Sequence, residues 1–204
     1  MRTEVSIPLK GRRLLVAVSG SIAAVKTPLL VSALVKAGAE VRCLVTPSAA
    51  KLVSPLALAS LSRHRCYTED DGWDSSCSRP LHIELAEWAE LVLLAPLSAT
   101  SLSRWSQGSA DGLLASVLLA CECPVLAAIA MNTAMWSHPA VQRNWQVVQT
   151  FPGVVPLMPQ PGLLACDRLG DGRMADPMLI ELAASSLFSR GDAGPVANLS
   201  LIHI

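Results

Sequence analysis

Leu14-Leu15-Val16-Ala17-Val18-Ser19-Gly20-Ser21-Ile22 opens with an unbroken apolar run, turns through small polar residues, and enters a helical pattern that continues to Ala37 and stops at Gly38. A continuous apolar run of this length reads as a strand buried on both faces, and a glycine just past the last periodic residue reads as a helix end. Pro28 falls inside that pattern and marks either a kink or a later helix start with Thr27 as cap. The same unit recurs outward from it. Val41 to Val45 is a second strand, with Thr46-Pro47-Ser48 opening a short helix; residues 54 to 61 are helical. Leu91 to Ala95 is a third strand closed by Pro96, followed by helices over Ser98 to Trp105 and Asp111 to Ala120. Pro124 to Ile129 is a fourth, Ala140 to Val148 a further helix, and Val154 to Leu157 a short fifth strand. Glu69 to Pro80 and Met158 to Pro177 read as long loops. Apolar strands alternating with helices imply right-handed crossovers and a parallel sheet covered on both faces, a doubly wound α/β fold.

Composition excludes several function classes. The chain has 204 residues, 51% hydrophobic and 16% charged, enough for one large core. Residues 1–190 are read as a single domain and 191–204 as a tail. Sixteen Lys and Arg balance sixteen Asp and Glu, so no field attracts a polyanion, and nucleic acid is not an expected partner. No apolar segment reaches the roughly 18 residues of a membrane span, and no signal-type core precedes Lys10, so a soluble cytoplasmic protein is expected. The cysteines at 43, 66, 77, 121, 123 and 166 form no CxxC pair. His64, Cys66, Cys77 and His82 match no finger or ribbon spacing, so no metal is expected. Five of the eight aromatic residues are Trp, placed for helix packing and pocket walls.

Ligands of open α/β sheets bind where strands end, and the post-strand turns here carry the chemistry. Ser19-Gly20-Ser21 offers backbone N–H groups and hydroxyls at a helix start, a setting that favours phosphate. It holds a single Gly and no Gly-Lys-Ser/Thr, so it is neither a dinucleotide turn nor a Walker loop, and a mononucleotide is the inference; an ordinary helix cap is the competing reading. Thr46 and Ser98 stand just past two other strands and add hydroxyls to the same edge. After the fourth strand, Ala130-Met131-Asn132-Thr133-Ala134-Met135-Trp136 supplies an amide beside a polarizable wall of Met131, Met135 and Trp136 suited to a flat aromatic ligand. Asn132 is equally placed to cap a helix. His82, in Leu81-His82-Ile83-Glu84-Leu85, has apolar neighbours, and a packed core histidine competes with a catalytic one. The loop around Cys166 holds Gly162, Gly170 and Gly172 with Arg168 and Arg173; such a loop closes over ligands, with a thiol placed to act as acid or nucleophile and an arginine that grips phosphate or carboxylate, and an unstructured surface loop is the competing reading.

Taken together these segments resemble the flavin-dependent cysteine decarboxylases, in particular the branch acting on phosphopantothenoylcysteine. Gly20-Ser21-Ile22-Ala23-Ala24-Val25-Lys26 is similar to that family's phosphate turn, and Leu81-His82-Ile83-Glu84-Leu85 to the segment bearing its active-site His. Pro96-Leu97-Ser98-Ala99-Thr100 resembles its flavin loop, Met131-Asn132-Thr133-Ala134-Met135-Trp136 its Met-Asn-x-x-Met-Trp motif, and Ala165-Cys166 with Gly170, Gly172, Arg173 and Met174 its substrate flap. The resemblance covers about Leu14 to Met174. It implies a Rossmann-like flavoprotein that uses FMN to decarboxylate 4'-phosphopantothenoylcysteine to 4'-phosphopantetheine in coenzyme A biosynthesis, without metal or nicotinamide. It implies His82 as base, Asn132 as holder of the departing carboxylate and Cys166 as proton donor. Gly20, Ser21, Ile22, Thr46, Ser98, Ala99 and Met131 would bind the cofactor, and Asn132, Met135, Ala165 and Arg173 the substrate. Homotrimers with sites between subunits are the implied assembly.

The chain departs from the family pattern at Thr100 (usually Asn), Ala130 (usually Pro), Gly112 (near an expected Asn) and Asp167 (usually Gly). Asp167 places a negative charge beside Cys166, which raises a thiol pKa, while Arg168 opposes that effect. No second, ligase-like domain follows, so a stand-alone decarboxylase is expected. Two alternatives stand beside it: a peptidyl-cysteine decarboxylase, which would lack the Cys166 flap, and a non-catalytic flavin-binding regulatory subunit.

Overall fold

Six strands pair in parallel in the order β3-β2-β1-β4-β5-β6 in the computed structural model, which describes residues 8–163 and 169–191. They are β1 (Arg13–Val18), β2 (Glu40–Val45), β3 (Cys66–Tyr67), β4 (Leu91–Leu97), β5 (Val125–Ile129) and β6 (Val154–Leu157). The expected doubly wound α/β fold is observed. Alternation within the strands divides the core into two layers. Leu14, Val16 and Val18 of β1 join Val41 and Leu93 against α1 (Thr27–Lys36), α2 (Pro55–Ser62) and α8 (Pro177–Gly191). Leu15 and Ala17 join Val92, Leu94 and Ala127 against α3 (Leu81–Trp88), α4 (Ala99–Ser106), α5 (Leu113–Ala120) and α7 (Pro139–Gln149). Each fully buried Leu in these layers contributes about 1.5–3 kcal/mol of transfer free energy. No helix among the described residues is long and apolar enough to cross a membrane.

The chain winds outward from β1 through β2 to β3, then returns beside β1 as β4 and winds the other way through β5 to β6. The switch point therefore lies between β1 and β4, and the crevice beyond their C-terminal ends is where this topology binds ligands.

Several elements differ from the sequence expectation. Ile22–Lys26 is a separate 3-10 turn, and α1 begins at Thr27 with Pro28 in its first turn, where a missing N–H costs nothing. Thr27 is not the cap: its buried hydroxyl donates to Ala95 O at 3.0 Å. β4 runs through Pro96, because the pairing with β5 shifts register between Leu94 and Leu97 and Pro96 O still accepts from Ser19 N–H at 3.2 Å. β3, two residues long, carries too little pattern to be read. Most consequentially, the long loop expected over Met158 to Pro177 contains an antiparallel hairpin, β7 (Gln160–Leu163) with β8 (Leu169–Arg173). Glu69 to Pro80 contains a 3-10 turn, Asp70–Trp73.

Candidate functional site

The turn after β1 is fixed from below. Ser19 is fully buried; its Oγ donates to Pro96 O at 2.7 Å and accepts from Ser98 N–H at 2.7 Å, tying the β1 turn to the β4 turn. A Cβ on Gly20 would lie 2.5 Å from Ser48 Cβ, so only glycine lets the loop after β2 approach this closely. Ser21 Oγ accepts from Ala23 N–H and caps the 3-10 turn; Ser98 Oγ accepts from Ser101 N–H and caps α4.

Beyond β5, Asn132 caps α6 (Thr133–Trp136): its Oδ1 accepts from Ala134 N–H at 2.8 Å, which fixes the orientation of the amide. The capping and ligand-facing readings of Asn132 are thus compatible. The hairpin is fastened to this loop by Met131 N–H donating to Gly172 O at 3.0 Å. Gly172 has a φ of +155°, and a Cβ there would collide with Met131 O. Arg173, at the end of β8, donates to Gln160 Oε1 and Asp176 Oδ2, each at 3.4 Å, and Asp176 Oδ1 also meets Lys26 Nζ at 3.4 Å.

These turns and the hairpin line a half-open cavity of about 650 Å³. Its lining includes Gly20, Ser21, Ile22, Ser98, Ala99, Met131, Asn132, Met135 and Arg173, together with Val25, Lys26, Thr100, Ala130, Gly172 and Met174. The described lining carries two cations, Lys26 and Arg173, and no carboxylate, and Ile22, Val25, Met131 and Met135 make much of it apolar. Volume and lining match small-molecule sites in general.

Other expected residues lie elsewhere. His82, in the first turn of α3, lines a second cavity of about 630 Å³ with Glu69, Trp73, Arg79, Asp111 and Gly112, so one protomer does not bring it into Asn132's cavity. Thr46 does not line the main cavity either. Its Oγ1 accepts from Ala49 N–H at 3.2 Å, and it faces a crevice of about 30 Å³. Trp136 is not a cavity wall, because it packs edge-on against Trp145 at 6.3 Å in the core. Ala165, Cys166, Asp167 and Arg168 lie outside the described residues. At Gly112, the N-cap of α5, the Glu69 carboxylate takes the Leu113 N–H at 3.0 and 3.1 Å, doing the capping that a polar side chain at 112 would do.

Ser19, expected to offer its hydroxyl to a phosphate, is instead buried and joins the β1 and β4 turns. Sequence reasoning missed Asp176, which carries no local signal, because Lys26 lies 150 positions away.

A family model described as Flavoprotein matches residues 2–183. The chain belongs to the flavoprotein family. Within that family it is 40% identical over 188 residues to the coenzyme A biosynthesis bifunctional protein CoaBC of Bacillus subtilis, covering 92% of this chain and 46% of that protein. The chain thus spans a little under half the length of that relative. Among solved structures, a PPC decarboxylase mutant complexed with pantothenoylaminoethenethiol superposes with a TM-score of 0.82 at 34% identity, covering 88% of this chain and all of that one. The FMN-binding protein AtHal3 follows at 0.79 and 34%, covering 88% and 98%.

Proposed function

We propose that the chain is an FMN-dependent phosphopantothenoylcysteine decarboxylase of the cytoplasm, a carbon-carbon lyase that forms 4'-phosphopantetheine in coenzyme A biosynthesis. The observation that carries this reading is the main cavity at the switch point, whose lining combines Ser21, Ser98 and Lys26 with the apolar Ile22, Val25, Met131 and Met135. A flavin mononucleotide needs that combination: a dianionic phosphate met by N–H groups and a cation, and a flat ring between apolar side chains. Lys26 and Arg173 line the cavity and share a single carboxylate, Asp176, so one positive charge is left to favour an anion. The residues fit the cofactor.

FMN, when bound, would supply reversible two-electron redox chemistry. The protein's own residues do the rest. Asn132, its amide fixed by Ala134, presents a neutral hydrogen-bonding group that holds a carboxylate without the charge that would stabilise it against leaving. Arg173 offers a guanidinium for the substrate's phosphate or carboxylate. His82 accepts a proton from the substrate, and Cys166 is assigned the return of a proton on the strength of the family motif.

His82 and Asn132 line different cavities of one protomer, so the proposal requires that they meet across a subunit boundary, as in the homotrimer the resemblance implies. The exposed Ile22, Val25 and Leu29 beside the main cavity, at 55%, 54% and 67% of their surface, supply an apolar rim for such a contact. Carbon dioxide release from phosphopantothenoylcysteine by the purified, FMN-loaded protein tests the reading. Release that disappears in His82→Asn while flavin is retained is expected. A yellow protein with no release would favour a flavin-binding regulatory subunit, and release only from a peptide ending in Cys would favour a peptidyl-cysteine decarboxylase.

A further inference from the structure

At the opposite, N-terminal end of the sheet, the segment Cys121-Glu122-Cys123 joins α5 to β5. Cys121 has extended backbone, which points residues two apart to the same side, and the chain bends at Cys123. The two sulfurs lie 3.1 Å apart, inside hydrogen-bonding contact for thiols, and Cys121 Sγ also approaches Cys123 O at 3.7 Å. Both residues are half-buried and so keep some access to solvent, and both are free thiols.

The other cysteines of the sheet provide the contrast. Cys43 and Cys66 are register partners on β2 and β3, yet both are buried. Burial, reinforced by the neighbouring Asp71, pushes the Cys66 thiol up to about 12, and burial raises Cys43 further. Such thiols stay protonated and inert. In the 121–123 pair the hydrogen bond from Cys123 draws the Cys121 thiol below its ordinary value, against the effect of burial, while the same bond and burial raise Cys123. One sulfur is thereby prepared as nucleophile and the other holds its proton, a division of labour suited to exchange.

We propose that Cys121 and Cys123 form a dithiol site that reacts with small-molecule disulfides and closes into an intrachain disulfide. The Cys121 thiolate attacks one sulfur of RSSR; the Cys121–SR bond forms, the RS–SR bond breaks, and RS⁻ leaves and takes up a proton. Cys123 then gives up its proton and its sulfur attacks Cys121 Sγ. The intrachain S–S bond forms, the bond to R breaks, and a second RSH leaves. The two cysteines are oxidised by two electrons and the small disulfide is reduced by two. The sulfurs have about 1 Å to travel to bonding distance.

The FMN-loaded protein is incubated with oxidised glutathione, quenched in acid and alkylated, and the cysteine-bearing peptides are mapped by mass. The expected result is loss of both alkylations from the peptide carrying 121 and 123, with no retained glutathione. Cys123→Ser should instead accumulate a glutathione adduct on Cys121, faster than exposed Cys77 does. If the wild-type peptide stays doubly alkylated while Cys77 carries glutathione, or if 121 and 123 each keep an adduct, the proposal is overturned. The wild-type map decides this whether or not the variant folds.

Discussion

Replacing Ser19 by Ala removes a single buried oxygen, and the structure specifies the consequence. That oxygen receives the Ser98 N–H and donates to Pro96 O, each at 2.7 Å. Pro96 O keeps the Ser19 backbone N–H at 3.2 Å, so that side loses one ordinary bond, about 0.5–1.5 kcal/mol. Ser98 is only 6% exposed, and its N–H is left buried with its acceptor gone, a cost of about 1–3 kcal/mol. The sum, about 1.5–4.5 kcal/mol, lowers Tm by about 3–18 °C in a domain of this size. Because the lost bonds hold two cavity turns in register, flavin affinity should fall as well. Differential scanning calorimetry of the apoprotein and fluorescence titration with FMN measure the two effects. Ser60→Ala is the control: its hydroxyl bonds Leu56 O on an exposed helix face, and its loss should cost at most about 0.5 kcal/mol. If Ser19→Ala melts and binds like Ser60→Ala, the pinning role is wrong.

Gly172→Ala should detach the hairpin from Met131, since the new methyl collides with a backbone carbonyl, and should raise KM with little change in Tm, as read from steady-state kinetics beside a melt. Arg173→Met should raise KM for the phosphorylated substrate by about 10–150-fold through loss of a charge-assisted bond of about 1.5–3 kcal/mol, while retaining flavin absorbance. Burial would raise the Glu90 carboxyl, but the Arg13 N–H and the Arg12 guanidinium outweigh it and hold it below its ordinary 4.5. A depressed carboxyl stabilises the fold above its unfolded pKa and ceases to do so as pH falls through the folded one. Urea midpoints should therefore drop below about pH 4.5 in the wild type and drop less in Glu90→Gln.

The fold was legible because its central strands are buried on both faces. Leu14 to Val18 and Leu91 to Ala95 leave no polar alternation to confuse the period, and Gly38 and Gly108 mark helix ends. The hairpin was not legible. Gln160-Pro161-Gly162-Leu163 and Leu169-Gly170-Asp171-Gly172-Arg173 carry no apolar alternation, and β8 takes its shape from glycines that fit against Thr133 and Met131, a tertiary requirement. Post-strand turns pointed to Gly20, Ser98, Met131 and Asn132, because in a parallel sheet all strands end on one rim. The same rule pointed to Thr46, which lies outside the main cavity and accepts from Ala49 N–H, and to Trp136, which packs in the core instead of the cavity wall. The separation of His82 from Asn132 within one protomer follows from where α3 and the turn after β5 sit in the fold, which no spacing in the sequence sets.

That separation makes a mixing experiment decisive for a site shared between protomers. His82→Asn and Asn132→Ala should each be inactive alone while retaining flavin. Coexpressed with different tags and purified as mixed trimers, they should regain about one third of wild-type turnover per site, since each two-to-one ring pairs an intact imidazole face with an intact amide face at one of its three boundaries. Mixed oligomers that release carbon dioxide no faster than either variant by itself would contradict the shared site and the decarboxylase mechanism built on it.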